Sequence, residues 1–363
     1  MKRISVGRKQ FVESAGVARW EKTLRRKGKL YRPDKKVVKR TMLGQSAIIA
    51  PRYISIYESE GGSSPYIETI AFIDRIKTSF KLRDCVLDFS NTEKITAAAL
   101  VVVYAAVEMA SVGRAGKASM IMASKSNNAV NRALKSSNFQ KLVAGHGISY
   151  SLATSRYMPV VSGVGGDLVD DIVDFIQKRI FAAKMNAVTE HVYGDAVSET
   201  IYNVELHAYP KDPESERRWW LICSPIGRKL FLAIYDQGVG IPATVIEKSW
   251  FNPLVKYLDP VRYKEISEIY AEGTPSSLWG RKIPDERLIS YSMRNDVSGT
   301  KEEKHGQGSK SIKALVNETK DGLLWVFSNN GLYKYSSETK DYDEIALPKS
   351  FPGTLVQWNI EIP

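Results

Sequence analysis

The chain has 363 residues, 43% of them hydrophobic and 25% charged, so it is long enough for two ordinary domains and has the composition of a soluble globular protein. Its formal net charge of +12 is not spread evenly. Residues 1–40 carry fifteen Lys and Arg against Glu13, Glu21 and Asp34, and the remaining chain is balanced at 37 basic and 37 acidic residues. The longest apolar run, Ala97 to Val107, falls short of the ~20 residues of a membrane span, and the basic N-terminus lacks a secretory apolar segment. A cytoplasmic protein with no membrane span is expected, and Cys85 and Cys223, each within an apolar run, are expected as buried thiols.

Taken in order, residues 1–50 form a basic arm that includes Arg25-Arg26-Lys27 and Lys35-Lys36. Such an arm suits nucleic acid or an anionic surface through counterion release, or remains a solvated tail. Residues 51–150 alternate between strand and helix patterns, which predicts an α/β layer. Strands are expected at 52–57, 85–89 and 117–123, and helices at 66–80, 96–112 and 128–142. The Gly- and Ser-rich stretch 151–166, with Ser162-Gly163-Val164-Gly165-Gly166, reads as a linker. The second domain is expected over 167–363.

In that second domain, Glu199, Asn203 and His207 recur at a spacing of four, which places them along one helix face. Val197, Ile201, Val204 and Ala208 form an apolar stripe on the other side. The run Leu230 to Tyr235 reads as a strand that delivers Asp236 to its end, followed by Gly238 and Gly240, whose missing side chains leave room for a ligand. Gly306 and Gly308 precede Ser309 and Lys310 at the start of a helix, whose free amides suit a phosphate. A hairpin at Asn330-Gly331 is expected between strands 324–327 and 332–335, with Gly353-Thr354 in a closing strand 352–362. Each motif by itself is more often structural than functional.

Together, in this order and spacing, the four resemble the sequence boxes of the GHKL ATPase superfamily, most closely the anti-sigma-factor serine kinases with their Glu-x-x-x-Asn-x-x-x-His pattern. The resemblance implies an α/β sandwich (α+β) with a mixed sheet and a long ATP lid, here about 243–304. It also implies that ATP and Mg²⁺ are bound. By position, Glu199 would activate the attacking group, Asn203 would coordinate Mg²⁺, and Asn203 and His207, on the same face, would contact the ATP. Asp236 would accept the adenine amine, with Gly238 and Gly240 shaping that pocket. Gly306, Gly308, Ser309 and Lys310 would flank the phosphates, and Thr354 would support the base. Ala271-Glu272-Gly273-Thr274 is similar to the turn that begins such lids, with an inserted helical pair before it.

Residues 51–150 resemble a STAS-type domain, on Leu87-Asp88-Phe89-Ser90 followed by Ile95-Thr96-Ala97-Ala98-Ala99-Leu100. The family's phosphoryl-accepting serine falls on Ala98, which implies a docking or sensing module. The expected function is slow Mg²⁺-dependent ATP hydrolysis coupled to a conformational or partner-binding switch in bacterial-type signalling or regulation. Alternatives are phosphotransfer to a serine or threonine of another protein, or ATP sensing without turnover. A protein partner is expected and a homodimer is compatible. None of His146, His191, His207 and His305 sits in the context of a sensor histidine kinase.

Because the excess charge is confined to residues 1–40, deleting them is expected to abolish salt-sensitive retention on DNA, RNA or anionic vesicles while leaving ATP affinity nearly intact. Unchanged polyanion retention after the deletion would make the arm a passive tail.

Overall fold

The structure is a computed structural model that describes residues 41–362 apart from 43–44, 58–63, 81–83, 115, 125, 149, 270–279, 281 and 295–306. The basic arm over 1–40 therefore lies outside the described residues. The chain divides into two compact units, Met1–Ala47 and Ile48–Pro363. In the first, β1 (Thr41–Met42) runs antiparallel to the start of β2 (Gln45–Ile49), with Thr41 opposite Ser46.

The second unit opens with β3 (Tyr53–Ile54), α1 (Pro65–Ser79), β4 (Cys85–Asp88), β5 (Lys94–Ile95), α2 (Ala97–Ser111) and β6 (Ala118–Ile121). Strands β4 and β6 pair in parallel, as do β3 and β5, which is what strand–helix alternation dictates. The expected strand at 52–57 shortens to two residues, because the Ser55 amide turns to the Thr69 hydroxyl at 3.0 Å instead of a ladder. Thr96 caps α2 by accepting from the Ala99 amide. The expected helix at 128–142 is two helices, α3 (Asn128–Ser136) and α4 (Phe139–Val143), separated where Asn138 adopts a left-handed φ of 62°.

The rest of the unit is built on a five-stranded sheet. After β7 (Val161–Val164) come α5 (Val169–Phe175), which runs into a π-helical turn at Ile176–Ile180, and α6 (Ala187–Asn203), which does the same at Val204–Ala208. Strands β8 (Arg218–Ile226) and β9 (Lys229–Asp236) follow. Then come α7 (Ile241–Val245), α8 (Phe251–Leu258), α9 (Pro260–Ile269), α10 (Asp285–Met293) and α11 (Gln307–Asn317), before β10 (Leu323–Ser336) and β11 (Asp341–Glu361). The sheet order is β10-β11-β9-β8-β7, and each of its four pairings is antiparallel. The expectation of a mixed sheet is thereby corrected. Its β-strands follow one another through hairpins or return alongside an earlier strand, so no parallel crossover is needed.

Two further expectations are corrected. Within the supposed linker, Val161–Val164 is the edge strand β7, paired with β8 through Val161 opposite Leu221. Its glycines serve packing: the Trp219 indole donates to the Gly165 carbonyl at 2.8 Å. Asn330-Gly331 is not a hairpin but a register shift inside the continuous strand β10. A side chain at Gly331 would come within 2.4 Å of the Glu286 amide, so the glycine admits the start of α10, while Asp285 accepts from the Asn330 amide at 2.9 Å. The turn joins Ser336 to Asp341 instead.

Both faces of the large sheet are covered. On one face, Leu230, Leu232 and Ile234 of β9, with Trp219, Leu221 and Trp358, pack against α5, α6 and α11. On the other face, Ala233, Tyr235, Trp220, Ile222, Phe327 and Leu355 share a core with α1, α2 and strand β4. Helix α2 thus lies between two sheets, and Ala98 through Val107 are all buried. That burial explains its Ala-Val composition, since a helix buried all round carries no polar face.

Polar ties cross the same boundary. Glu108 of α2 accepts from the Trp220 indole at 2.6 Å and the Ser162 hydroxyl at 3.0 Å, and it pairs with Arg218 at 3.3 Å. The Tyr66 hydroxyl donates to the Lys349 carbonyl at 2.7 Å. Ala98 is 2% exposed and faces this core.

A chain beginning at residue 151 would expose Trp220, Ile222, Tyr235, Phe351 and Leu355 together, an apolar patch of the kind that drives association. Such a fragment is expected to aggregate or bind a hydrophobic dye strongly. A soluble fragment with cooperative unfolding would contradict the shared core.

Candidate functional site

A cavity of about 460 Å³ lies between α6, the end of β9, α7 and the start of α11, within the size range of small-molecule sites. Helix α6 supplies one wall. Asn186 caps it by accepting from the Thr189 amide at 2.8 Å. The expected apolar stripe, Val197, Ile201, Val204 and Ala208, is in the core under the sheet, which turns Glu199, Asn203 and His207 to the cavity. The final π-helical turn was not legible in the spacing. It lets the Ala208 carbonyl accept from the Val239 amide at 2.8 Å, which fixes the end of α6 to the loop after β9.

Strand β9 delivers Asp236 to one end of the cavity, opposite Trp219 on β8 and Thr354 on β11. The Asp236 carboxylate accepts from the Gly238 amide at 2.8 Å. It is 5% exposed, and burial pushes its pKa up to about 7, partly offset by the Gly238 and Thr354 amides. The surrounding loop is well anchored. The Tyr209 hydroxyl accepts from the Gln237 amide at 2.8 Å, and Ser328 accepts from the Ile241 amide at 2.9 Å while contacting the Thr354 hydroxyl at 3.1 Å. Gly240 has φ of 89° and leads directly into α7, so a left-handed residue turns the chain at the cavity rim.

The other end is built from Glu199, Asn203 and α11. The Asn203 amide donates to Glu199 at 3.4 Å. A side chain at Gly308 would lie 2.2 Å from the Glu199 carboxylate, so glycine brings the first turn of α11 against it. Ser309 is buried and lines the cavity, whereas Lys310 is exposed and does not. On the helix Lys310 falls one position beyond the inward-facing Ser309. Gly306, His305 and the turn Ala271–Thr274 lie outside the described residues.

Thus Glu199, Asn203, His207, Asp236, Gly240, Gly308, Ser309 and Thr354 line one cavity, with Gly238 donating to Asp236 behind it. Several lining residues carried no sequence signal, including Thr244, Lys248, Trp250 and Met293. They come from the segment 243–304, whose described part has a small core of its own formed by Val245, Phe251, Leu254, Val255, Ile266, Ile283, Leu288 and Tyr291. Helices α8 and α9 stand where a helical pair was expected before Ala271. Asp259 at their junction accepts from Arg287 at 2.7 Å and from Tyr291 at 3.1 Å, tying the pair to α10.

No protein-family model matches the chain, and no curated protein matches it. Among the described residues no helix is long and apolar enough to cross a membrane, and no group of three or more His, Cys, Asp and Glu could hold a metal ion. Both cysteines are buried and free. Chemically, the cavity offers a dry carboxylate at one end for an N–H donor, and oxygen ligands beside a helix start at the other.

A buried carboxyl whose pKa is raised from 3.8 to about 7 holds its proton longer in the folded than in the unfolded chain. Stability contributed by this group is therefore lost as pH rises from about 4 to about 7. Asp236→Asn removes the charge while keeping an acceptor for the Gly238 amide. It is expected to stabilise the protein at pH 8 by roughly 1–3 kcal/mol relative to the parent, with the gap closing toward pH 4. Denaturant midpoints at both pH values check this, and a variant less stable at pH 8 would contradict it.

Proposed function

We propose that the cavity binds ATP with Mg²⁺ and that the protein hydrolyses it slowly, coupling occupancy to a conformational or partner-binding switch. The observation that carries this reading is the pairing of opposite ends in one cavity: a buried Asp236 carboxylate at one, and Glu199, Asn203 and the start of α11 at the other. The resemblance to the GHKL superfamily, and to a STAS-type domain over 51–150, supports it from the sequence.

Asp236 would accept the exocyclic amine of adenine, an interaction made in the ground state and the transition state alike. A low-dielectric setting makes this acceptor selective, because a base that presents no donor leaves it unpaired. At the other end, the amides of the first turn of α11 and the positive end of its dipole would face the polyphosphate.

Asn203 is a hard oxygen donor suited to Mg²⁺, offering its amide oxygen while its nitrogen bonds Glu199. Bound there, the metal would neutralise charge on the phosphate oxygens. Glu199 would take a proton from the attacking water as its oxygen bonds to the terminal phosphorus and the bond to the diphosphate breaks. The segment with its own small core, α7 to α10, borders the cavity through Thr244, Val245 and Lys248, and it is the element whose position would report occupancy.

Two substitutions separate binding from chemistry. Asp236→Asn is expected to weaken ATP binding by about 1–3 kcal/mol, a five- to hundredfold change. Glu199→Gln is expected to spare affinity and cut phosphate release by about 10²–10⁴-fold. Calorimetry and phosphate release on both variants check this. Parent-like hydrolysis by Glu199→Gln would leave the α6 face structural and favour ATP sensing or phosphotransfer through another group.

A further inference from the structure

Lys248 and His207 form a pair that the resemblance does not account for. Lys248 sits in the turn between α7 and α8, where its amide donates to the Val245 carbonyl at 3.2 Å and its carbonyl accepts from Phe251 at 3.0 Å. Val245 and Phe251 are buried in the small core of that segment, so the turn is fixed from below. From this turn the Lys248 ammonium reaches the His207 ring, 3.2 Å from Nδ1 and 3.4 Å from Nε2. Both residues line the cavity and are half-buried. The exposed Glu247 offsets only part of the effect of burial on Lys248.

Two basic groups in hydrogen-bond contact, facing a cavity, are a receptor for an anion. Burial lowers the His207 pKa, with Lys248 adding to the effect, and burial likewise lowers that of Lys248. An anion between them would offset both penalties.

The place of the pair along the cavity decides which anionic group it would hold. Glu199 on α6 and His207 in its π-helical turn are eight residues apart, a span of up to roughly 12 Å at ~1.5 Å per residue. Glu199 is at the Gly308 end. His207 is next to Ala208, whose carbonyl holds the Val239 amide in the loop that carries Asp236. The basic pair therefore stands beside the end where the base would sit.

Building on the ATP reading above, we infer that Lys248 and His207 together bind the phosphate nearest the sugar, leaving the terminal phosphates to the Glu199–Gly308 end. Recognition at this point is shared by adenosine mono-, di- and triphosphate and is not made to adenosine.

The test is calorimetric titration of the full chain with adenosine, AMP, ADP and ATP in the presence of Mg²⁺, on the parent, Lys248→Met, Lys248→Arg and His207→Gln. Lys248→Met is expected to weaken AMP, ADP and ATP by the same factor, about tenfold or more, and to leave adenosine unchanged. Lys248→Arg should recover most of the loss, and His207→Gln should show the same uniform pattern at smaller size. A loss confined to ATP, or no loss for AMP, overturns the inference while leaving the nucleotide site standing. A parent that binds none of the four overturns the nucleotide reading and this inference together. Thermal melting on each variant identifies any that fails to fold, in which case Lys248→Gln replaces Lys248→Met.

Discussion

The five-stranded antiparallel sheet has to be buried on both faces, and the placement of the cavity follows from how that is achieved. Strand β9 runs through the middle of the sheet with Leu230, Leu232 and Ile234 on one side and Ala233 and Tyr235 on the other, all buried. A strand so covered has no solvent face, and the polar residue at its end, Asp236, still paired with Thr354 on β11, lines the cavity. The α6 face that packs on the sheet fixes the opposite face toward the same opening. Covering the far side with α1 and α2 also makes residues 51–150 part of the sheet's own core.

A buried carboxylate is costly, and the surroundings of Asp236 show how the cost is contained. The Gly238 and Thr354 amides offset part of the burial penalty, and Tyr209 and Ser328 tie the loop at Gln237 and Ile241. Such a group destabilises the fold at neutral pH and gains when a donor reaches it, the trade-off expected of a binding residue. The tie between Ala208 and Val239 links this end to α6, so movement of the loop and of His207 would be coupled.

Much of this was legible in the sequence because it rests on local periodicity. The α6 stripe, the β9 run and the order of Glu199, Asn203, Asp236, Gly308 and Thr354 need no tertiary information beyond which face is apolar. What was missed depends on close approach between distant segments. Gly331 reads as a turn residue, yet it is there because α10 packs on it, and the glycines after Ser162 read as a linker although Trp219 bonds to their backbone. The all-antiparallel sheet was hidden because strand direction is set by pairing, not pattern. Lys248 carried no signal because its place at the cavity comes from a turn fixed by a separate small core. Lys310 stands one residue from the buried Ser309 and is exposed, because a helix turns each successive side chain by about 100°.

If the cavity binds ATP as proposed, Asp236 is the group that would read the base. The most direct measurement is a crystal structure of the full chain with Mg²⁺ and a non-hydrolysable ATP analogue. It should show the adenine amine within hydrogen-bond distance of the Asp236 carboxylate and the terminal phosphate beside Gly308 and Glu199. An analogue bound with its base away from Asp236, or a cavity that stays free of nucleotide at saturating concentration, would contradict it.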